Sequence, residues 1–318
     1  DILFRGLRTY TWTKYLFDNT LFDSDNNIGI RSREIALLNI SGKQQAGKSK
    51  SEVKKLADGF DFIDGATVDK YGNPYFIDYK WQRIYRWNIA KEKLELICEM
   101  PFYPVSLAFD TEGNLLVVTR FVQVESIFTK GDVKVVAMNP DNPIETIREL
   151  KEVPLSSIDK NRIKNVVYQP SRYRIEHNVE SAITAPINTC FVAPDGVTII
   201  PYASDLAQTY SLKISQPGQK VYVSSNAAQR TYSMVIDEQG RFTDVTVFVQ
   251  DGEQDVLSTQ NGNVYISSGN ILVYNTDGTF KKCIEVPERP SSIILGGKNK
   301  DILYICARKG FYSLGIGN

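Results

Sequence analysis

Ala66-Thr67-Val68-Asp69-Lys70-Tyr71-Gly72-Asn73, followed directly by Pro74 to Asp78, is the stretch on which the fold turns. An apolar run enters a short polar turn closed by Gly-Asn, and a second apolar run leaves it. Gly and Asn at the tip supply the positive φ that a tight hairpin demands, so the unit reads as two antiparallel strands and not as a helical turn. The unit recurs. Leu107 to Asn114 precedes Leu115 to Thr119, Cys190 to Gly196 precedes Val197 to Pro201, and Val256 to Asn263 precedes Val264 to Ser268. Gly72 and Gly113 are 41 residues apart and Gly113 and Gly196 are 83 apart, about two such steps, so one copy between them has lost its turn. Third-strand candidates stand at Arg83 to Asn88, Val133 to Asn139, Thr231 to Asp237, Ile271 to Asn275 and Phe311 to Gly315. No long stretch carries a 3.6-residue apolar period, which argues against an α/β fold.

Self-similarity near 40 residues, with four short strands per period, is what a propeller blade requires. The expected fold is therefore all-β: a six-bladed β-propeller over residues 51–318 with a non-repeat N-terminal extension and linker over residues 1–50. Val153 to Ser181, rich in charge and Asn, is expected to form an irregular third blade carrying a long loop. Ser41 to Lys50 is a polar, flexible linker by composition. Its Gly42 to Ser49 resembles a phosphate loop in spacing, but no strand-to-helix context surrounds it, so nucleotide binding is not expected there. The aromatics Tyr10, Trp12, Tyr15, Phe17 and Phe22 point to packing of the extension, either on the propeller's side or on an upstream domain.

Composition narrows the partners. Hydrophobic residues at 42% and charged residues at 23% fit a soluble globular chain, and no apolar run is long enough to insert in a membrane. With 37 basic and 37 acidic residues the net charge is zero, which removes the electrostatic footprint of nucleic-acid binding. A small-molecule sugar or lactone is the better-matched partner. Cys98, Cys190, Cys283 and Cys306 form no CxxC pair, so neither a zinc site nor a disulfide framework is indicated, and each reads as a free thiol in an apolar strand. The chain opens on Asp1 with no basic segment followed by an apolar one, so no signal peptide is read. The 17 Tyr and the many Asn point to an extracytoplasmic location, periplasmic or secreted.

The innermost strands of a propeller converge on its axis, so residues at the same place in successive repeats ring one site. Eight residues before the turn glycine stand Asp64, Asn188 and Gln254. Their side chains offer oxygen, the donor a hard divalent cation such as calcium takes. Against this, Asp64 precedes a Gly and has the simpler role of satisfying turn amides. His177, the single histidine, lies in the loop Arg174 to Asn178 and is a candidate for proton transfer or a solvated loop residue. Arg120 ends a strand of the second blade, where it would grip a sugar carboxylate or stand as an exposed strand-end charge. Trp81, with Tyr79, follows the first hairpin and would stack on a sugar ring or pack at the rim. No Gly-x-Ser-x-Gly elbow supports a serine hydrolase.

Phe60 to Asp69, Gly72 to Asp78 and Arg83 to Trp87 resemble the first blade of the senescence-marker-protein, gluconolactonase and luciferin-regenerating-enzyme family. The closing stretch is similar too, in Val286-Pro287-Glu288-Arg289-Pro290, Leu295-Gly296-Gly297 and Ile302 to Arg308, and the likeness runs from about Val53 to Leu314. The resemblance implies a six-bladed propeller that holds a divalent cation, often calcium, in its channel and hydrolyses sugar-acid or related lactones. The family pattern places an acid, an Asn and an Asp around the cation. Asp64 matches with a shorter acid, Asn188 matches, and Gln254 departs, which weakens cation binding and removes the expected general base. Asp255 is adjacent, yet on a regular strand it faces away unless a bulge turns it inward. Three functions follow: a metal-dependent hydrolase of a lactone or related carbohydrate ester, a carbohydrate-binding module without catalysis, and a sugar lyase or epimerase with His177 or Asp255 as base.

Overall fold

A computed structural model of the chain describes residues 53–100, 103–110, 112–120, 133–152, 165–168, 189–192, 198–202, 213–215, 220–225, 229–236 and 242–317. In chain order the elements are β1 (Lys54–Ala57), then β2 to β5 (Ile63–Val68, Pro74–Asp78, Arg83–Asn88, Lys93–Glu99). Next come β6 to β8 (Tyr103–Phe109, Leu115–Arg120, Val133–Met138), the one-turn helix α1 (Pro143–Thr146) and β9 (Arg148–Glu149). The central stretch holds β10 to β14 (Lys151–Glu152, Asn165–Tyr168, Thr189–Val192, Thr198–Tyr202, Lys213–Ser215) and β15 to β17 (Lys220–Ser225, Arg230–Ile236, Phe242–Val249). The chain finishes with β18 to β21 (Val256–Ser258, Asn263–Ser268, Asn270–Asn275, Phe280–Ile284) and β22 to β24 (Ser292–Gly296, Ile302–Ala307, Gly310–Gly315).

Each of the four expected hairpins forms: β2 with β3, β6 with β7, β12 with β13 and β18 with β19. The turns are organised by their first residue as much as by glycine. Asp69 Oδ1 accepts from the amides of Tyr71 and Asn73, both at 2.9 Å, and Asp110 repeats this with Glu112 at 2.9 Å and Asn114 at 2.8 Å. These side chains mimic the backbone of a turn and fix where each strand stops.

The architecture is an all-β propeller. Five sheets are antiparallel meanders: β2 to β5, β6 to β9, β15 to β17, β18 to β21, and β22 to β24 with β1 added outside β24. The innermost strands neighbour one another in the order β6, β2, β22, β18, β15. The expectation of a six-bladed propeller is corrected here: five sheets have the form of a blade. In the sector between β9 and β15 the strands form a mixed sheet, ordered β10-β13-β12-β11-β14, in which β10 runs parallel to β13. There β14 pairs with β11 instead of with β15, which follows it in the chain, and the β15 to β17 sheet is left with three strands. The physical reason is register. Val153 to Ser181 lacks both the alternation and the turn residues that pin a hairpin, so neighbouring strands find other partners.

Packing between blades is apolar and aromatic. Phe60, Ile63, Phe76, Ile294, Tyr304 and Phe311 join the first sheet to the closing one, with Phe76 and Phe311 ring centroids 4.5 Å apart. Tyr75, Ile84, Leu107, Phe109 and Val117 join the first sheet to the second. At the opposite end from the inner-strand starts, two glycines bring neighbouring turns together: Gly297 N donates to Gly72 O at 2.9 Å, and Gly72 has φ +88.

Candidate site at the inner-strand starts

Val68, Phe109, Ser258 and Gly296 pair with Pro74, Leu115, Val264 and Ile302, which sets the four inner strands β2, β6, β18 and β22 in common register. Four residues back stand Asp64, Val105, Gln254 and Ser292; one further on stand Gly65, Ser106, Asp255 and Ile293. A bulge falls at this level in all four. The register shifts between Asp64 and Thr67 in β2, where Gly65 has φ 65, and between Pro104 and Ser106 in β6. Gln254 N donates to Ser267 O at 3.0 Å while Ser267 N donates to Asp255 O at 2.8 Å, so two residues oppose one. Ser291 and Ser292 share Cys306 in the same way. A repeated bulge re-aims side chains where a regular strand would alternate them.

Asp64 is fully buried, and its Oδ1 accepts from the Gly65 amide at 2.8 Å. Burial first, and then the Asp64 carboxylate, push the Tyr79 hydroxyl well above its ordinary pKa. Asp255, also fully buried, accepts from the Val256 amide through Oδ1 at 2.8 Å, as Asp64 does from Gly65. Its Oδ2 accepts from Ile293 N at 2.9 Å and from Ser292 Oγ at 3.1 Å. Ser292 Oγ in turn accepts from Ala66 N at 3.2 Å, and Ser291 Oγ donates to Ile63 O at 2.6 Å. Through these bonds β18, β22 and β2 are tied edge to edge. The bulge that would free Asp255 for chemistry thus delivers its carboxylate to the neighbouring blade.

Gln254 Oε1 is buried and has no hydrogen-bond partner among the described residues, and the same holds for Ser106 Oγ, Ser267 Oγ and Asp78 Oδ1. All four lie at one end of the propeller. Ser106 lies at the bulge of β6 and Gln254 just before β18, Asp78 closes β3 opposite Ile63, and Ser267 stands opposite the Gln254–Asp255 bulge. Burial raises the Asp78 carboxyl above its usual range, opposed by backbone amides of Asp61 and Phe62. At this end too, in the loop from β3 to β4, Trp81 is 52% exposed, with Lys80 Nζ 5.2 Å and Arg83 Cζ 5.8 Å from its ring centroid. Arg120 ends β7 opposite Tyr103 of β6, again at this end. His177 and Asn188 lie outside the described residues; Asn188 directly precedes Thr189, the first residue of β12.

One pair escaped the sequence reading. Glu253, 5% exposed, accepts from Gly269 N at 2.8 Å and Arg289 Nε at 3.1 Å, and its Oε1 meets Arg289 Nη2. It bridges the start of β18 to the segment leading into β22. The sequence signal was a charged residue three positions before each of these two inner strands, which looks like a solvated loop until the two strands are set side by side. Removing Arg289 leaves a carboxylate in a low-dielectric site with one amide donor. Arg289→Ala is expected to cost about 2–3 kcal/mol by urea unfolding, less than a fully buried pair because the arginine is itself partly hydrated.

Among the described residues no three or more His, Cys, Asp or Glu side chains converge on a metal.

Residues 176–309 match the family described as the SMP-30/Gluconolactonase/LRE-like region. No curated protein sequence matches the chain. Among solved structures, a gluconolactonase from Xanthomonas campestris aligns at 14% identity over 86% of this chain and 92% of that one, with a TM-score of 0.57. Regucalcin from Agrobacterium tumefaciens, described as a calcium-binding protein, aligns at 14% identity over 84% of this chain and 94% of that one, TM-score 0.56. A luciferin-regenerating enzyme aligns at 12% identity over 83% and 95%, TM-score 0.54. At such identities the structures speak for the fold alone. The family match covers less than half of the chain, and with the shared fold it makes the chain similar to the SMP-30/gluconolactonase/LRE-like proteins. The matched stretch contains Asn188, Gln254 and Asp255, whereas Asp64 lies before it.

Proposed function

We propose that the chain holds a divalent cation, calcium by its donor chemistry, and with it a sugar-acid lactone or related carbohydrate ester, at the end of the blades where the inner strands begin. The observation that carries this reading is Gln254 Oε1, a buried carbonyl oxygen with no donor among the described residues, at the same level as the Asp64 carboxylate. Such an oxygen is costly to bury unless something electropositive meets it. The donor set fits a hard cation: Asp64, Gln254 and, by its repeat position, Asn188 offer oxygen and no sulfur or imidazole. One carboxylate among the three predicts weak binding. When bound, the cation would polarise a substrate carbonyl and lower the pKa of a bound water. Trp81 offers an exposed ring face to a sugar, and Arg120 a cation at the same rim for a carboxylate.

A second reading, carbohydrate binding without hydrolysis, is favoured by Asp255. The carboxylate nearest the missing acid accepts bonds from Val256, Ser292 and Ile293, so its oxygens are committed to holding neighbouring blades together. His177 is then the remaining base candidate for hydrolysis.

Calcium at about 100 times its dissociation constant is expected to stabilise the native protein by about 2.7 kcal/mol, read as a Tm rise of several degrees. Asp64→Ala should remove that rise. A rise that persists in the variant shows that Asp64 is not a ligand, and no rise in the parent protein removes the cation from the proposal. Release of acid from a sugar lactone, measured with the calcium-loaded protein, then separates hydrolase from binder.

A further inference from the structure

Away from the channel, three sulfur atoms meet between the first and second sheets. Cys98 Sγ lies 3.7 Å from Met100 Sδ and 4.0 Å from Met138 Sδ. We propose that Cys98, Met100 and Met138 form a binding site for a soft monovalent metal ion, Cu(I) or Ag(I). The chain has only 3 methionines and 4 cysteines, so two of the one and one of the other in a single contact group is a concentration that composition does not explain.

The sequence builds the site from two repeats. Cys98 and Met100 are two apart at the end of β5, and in extended chain residues two apart share a side. Met138 arrives 40 residues after Cys98, close to one repeat, at the end of β8 in the next sheet. Metal–sulfur bonds of about 2.3 Å place the three sulfurs of a trigonal site about 4.0 Å apart. The two observed separations are close to that spacing, so an ion would enter with little movement of the backbone. Thiolate and thioether are the donors that select Cu(I) and its congeners over harder cations. The surroundings agree: Tyr75, Ile77, Ile84, Leu107 and Val136 pack about the group and are apolar apart from one phenol. Met138 is fully buried and Met100 is 5% exposed, while Cys98 is only half-buried and so gives the ion its route in. Binding needs no redox partner: the Cys98 S–H bond breaks, its proton passes to solvent, and the sulfur lone pair joins the metal.

The test is titration of the full chain with Ag(I) and, under reducing conditions, with Cu(I) against a chromogenic Cu(I) chelator, with stoichiometry read by native mass spectrometry. One ion is expected to bind, to protect Cys98 from alkylation and to raise Tm. Met100→Leu and Met138→Leu, which conserve volume, should each weaken Cu(I) binding tenfold or more, and Cys98→Ser should abolish it. Cys283→Ser should leave it unchanged. Should Cys98→Ser fail to fold, the two Leu variants still decide. Uptake that is unchanged in the Met100→Leu/Met138→Leu double variant, or that follows Cys283 instead of Cys98, overturns the site and makes the cluster core packing only.

Discussion

Asp255→Ala is expected to lower the unfolding free energy by about 3–4 kcal/mol, the largest single-side-chain loss at the candidate site. The carboxylate is fully buried and accepts from Val256 N, Ile293 N and Ser292 Oγ, so truncation strands two backbone donors and a hydroxyl without water to replace it. Ile293 belongs to a different blade, which makes the loss one of cohesion between sheets. Asp255→Asn keeps the shape and one acceptor oxygen, and should cost roughly half as much. Urea unfolding of the two variants gives the order directly. A general base would behave in the reverse way, since Asn would preserve stability and remove turnover. Equal stability of Asp255→Asn and the parent protein, with lost lactone hydrolysis, would therefore return Asp255 to catalysis.

Gly72→Ala and Gly113→Ala form the second test, because the two positions share a backbone conformation and differ in their neighbours. Their φ values are +88 and +90. Forcing alanine into the left-handed region costs about 1–2 kcal/mol at either site. At Gly113 an added Cβ meets nothing within 4 Å, so the conformational cost is all that is expected. At Gly72 it runs into the backbone of Gly297, and relief requires parting the two turns and breaking the Gly297 N to Gly72 O bond. Gly72→Ala is expected to cost about 3–5 kcal/mol in total. A difference between the two variants smaller than about 1 kcal/mol in chemical denaturation would show that the turns give way easily.

These two cases also mark how far the residues alone could be read. The hairpins were legible because their cause is local: Asp69, Gly72 and Asn73 fix a turn within five residues, and the same holds at Asp110, Gly113 and Asn114. Gly72 itself was legible as a turn residue but not as a contact, since its neighbour Gly297 is 225 positions away. The level of Asp64 and Gln254 followed from counting back along repeats, and the structure sets the two in equivalent register. What Asp255 does was not legible. Its partners lie on a strand 38 residues further on, and its direction depends on a bulge that leaves no mark in composition. The mixed sheet was hidden for a related reason: from Val153 to Ser181 nothing local favours one strand pairing over another, so the count of regular blades could not be settled by dividing length by period.

The last sheet is finished by a strand from the other end of the described chain: Lys54, Lys55 and Ala57 pair with Ser313, Tyr312 and Phe311. A ribosome makes these partners more than 250 residues apart, so while the intervening chain is synthesised β1 has no edge to join. Until β24 emerges, the first sheet likewise lacks its aromatic neighbours Tyr304 and Phe311, and its apolar face and the open strand edge are available to other chains. Ring closure is thus a highly non-local step of folding, the kind that high contact order makes slow. Loss of only the last eight residues would leave residues 1–310 without the strand that both ends of the ring require.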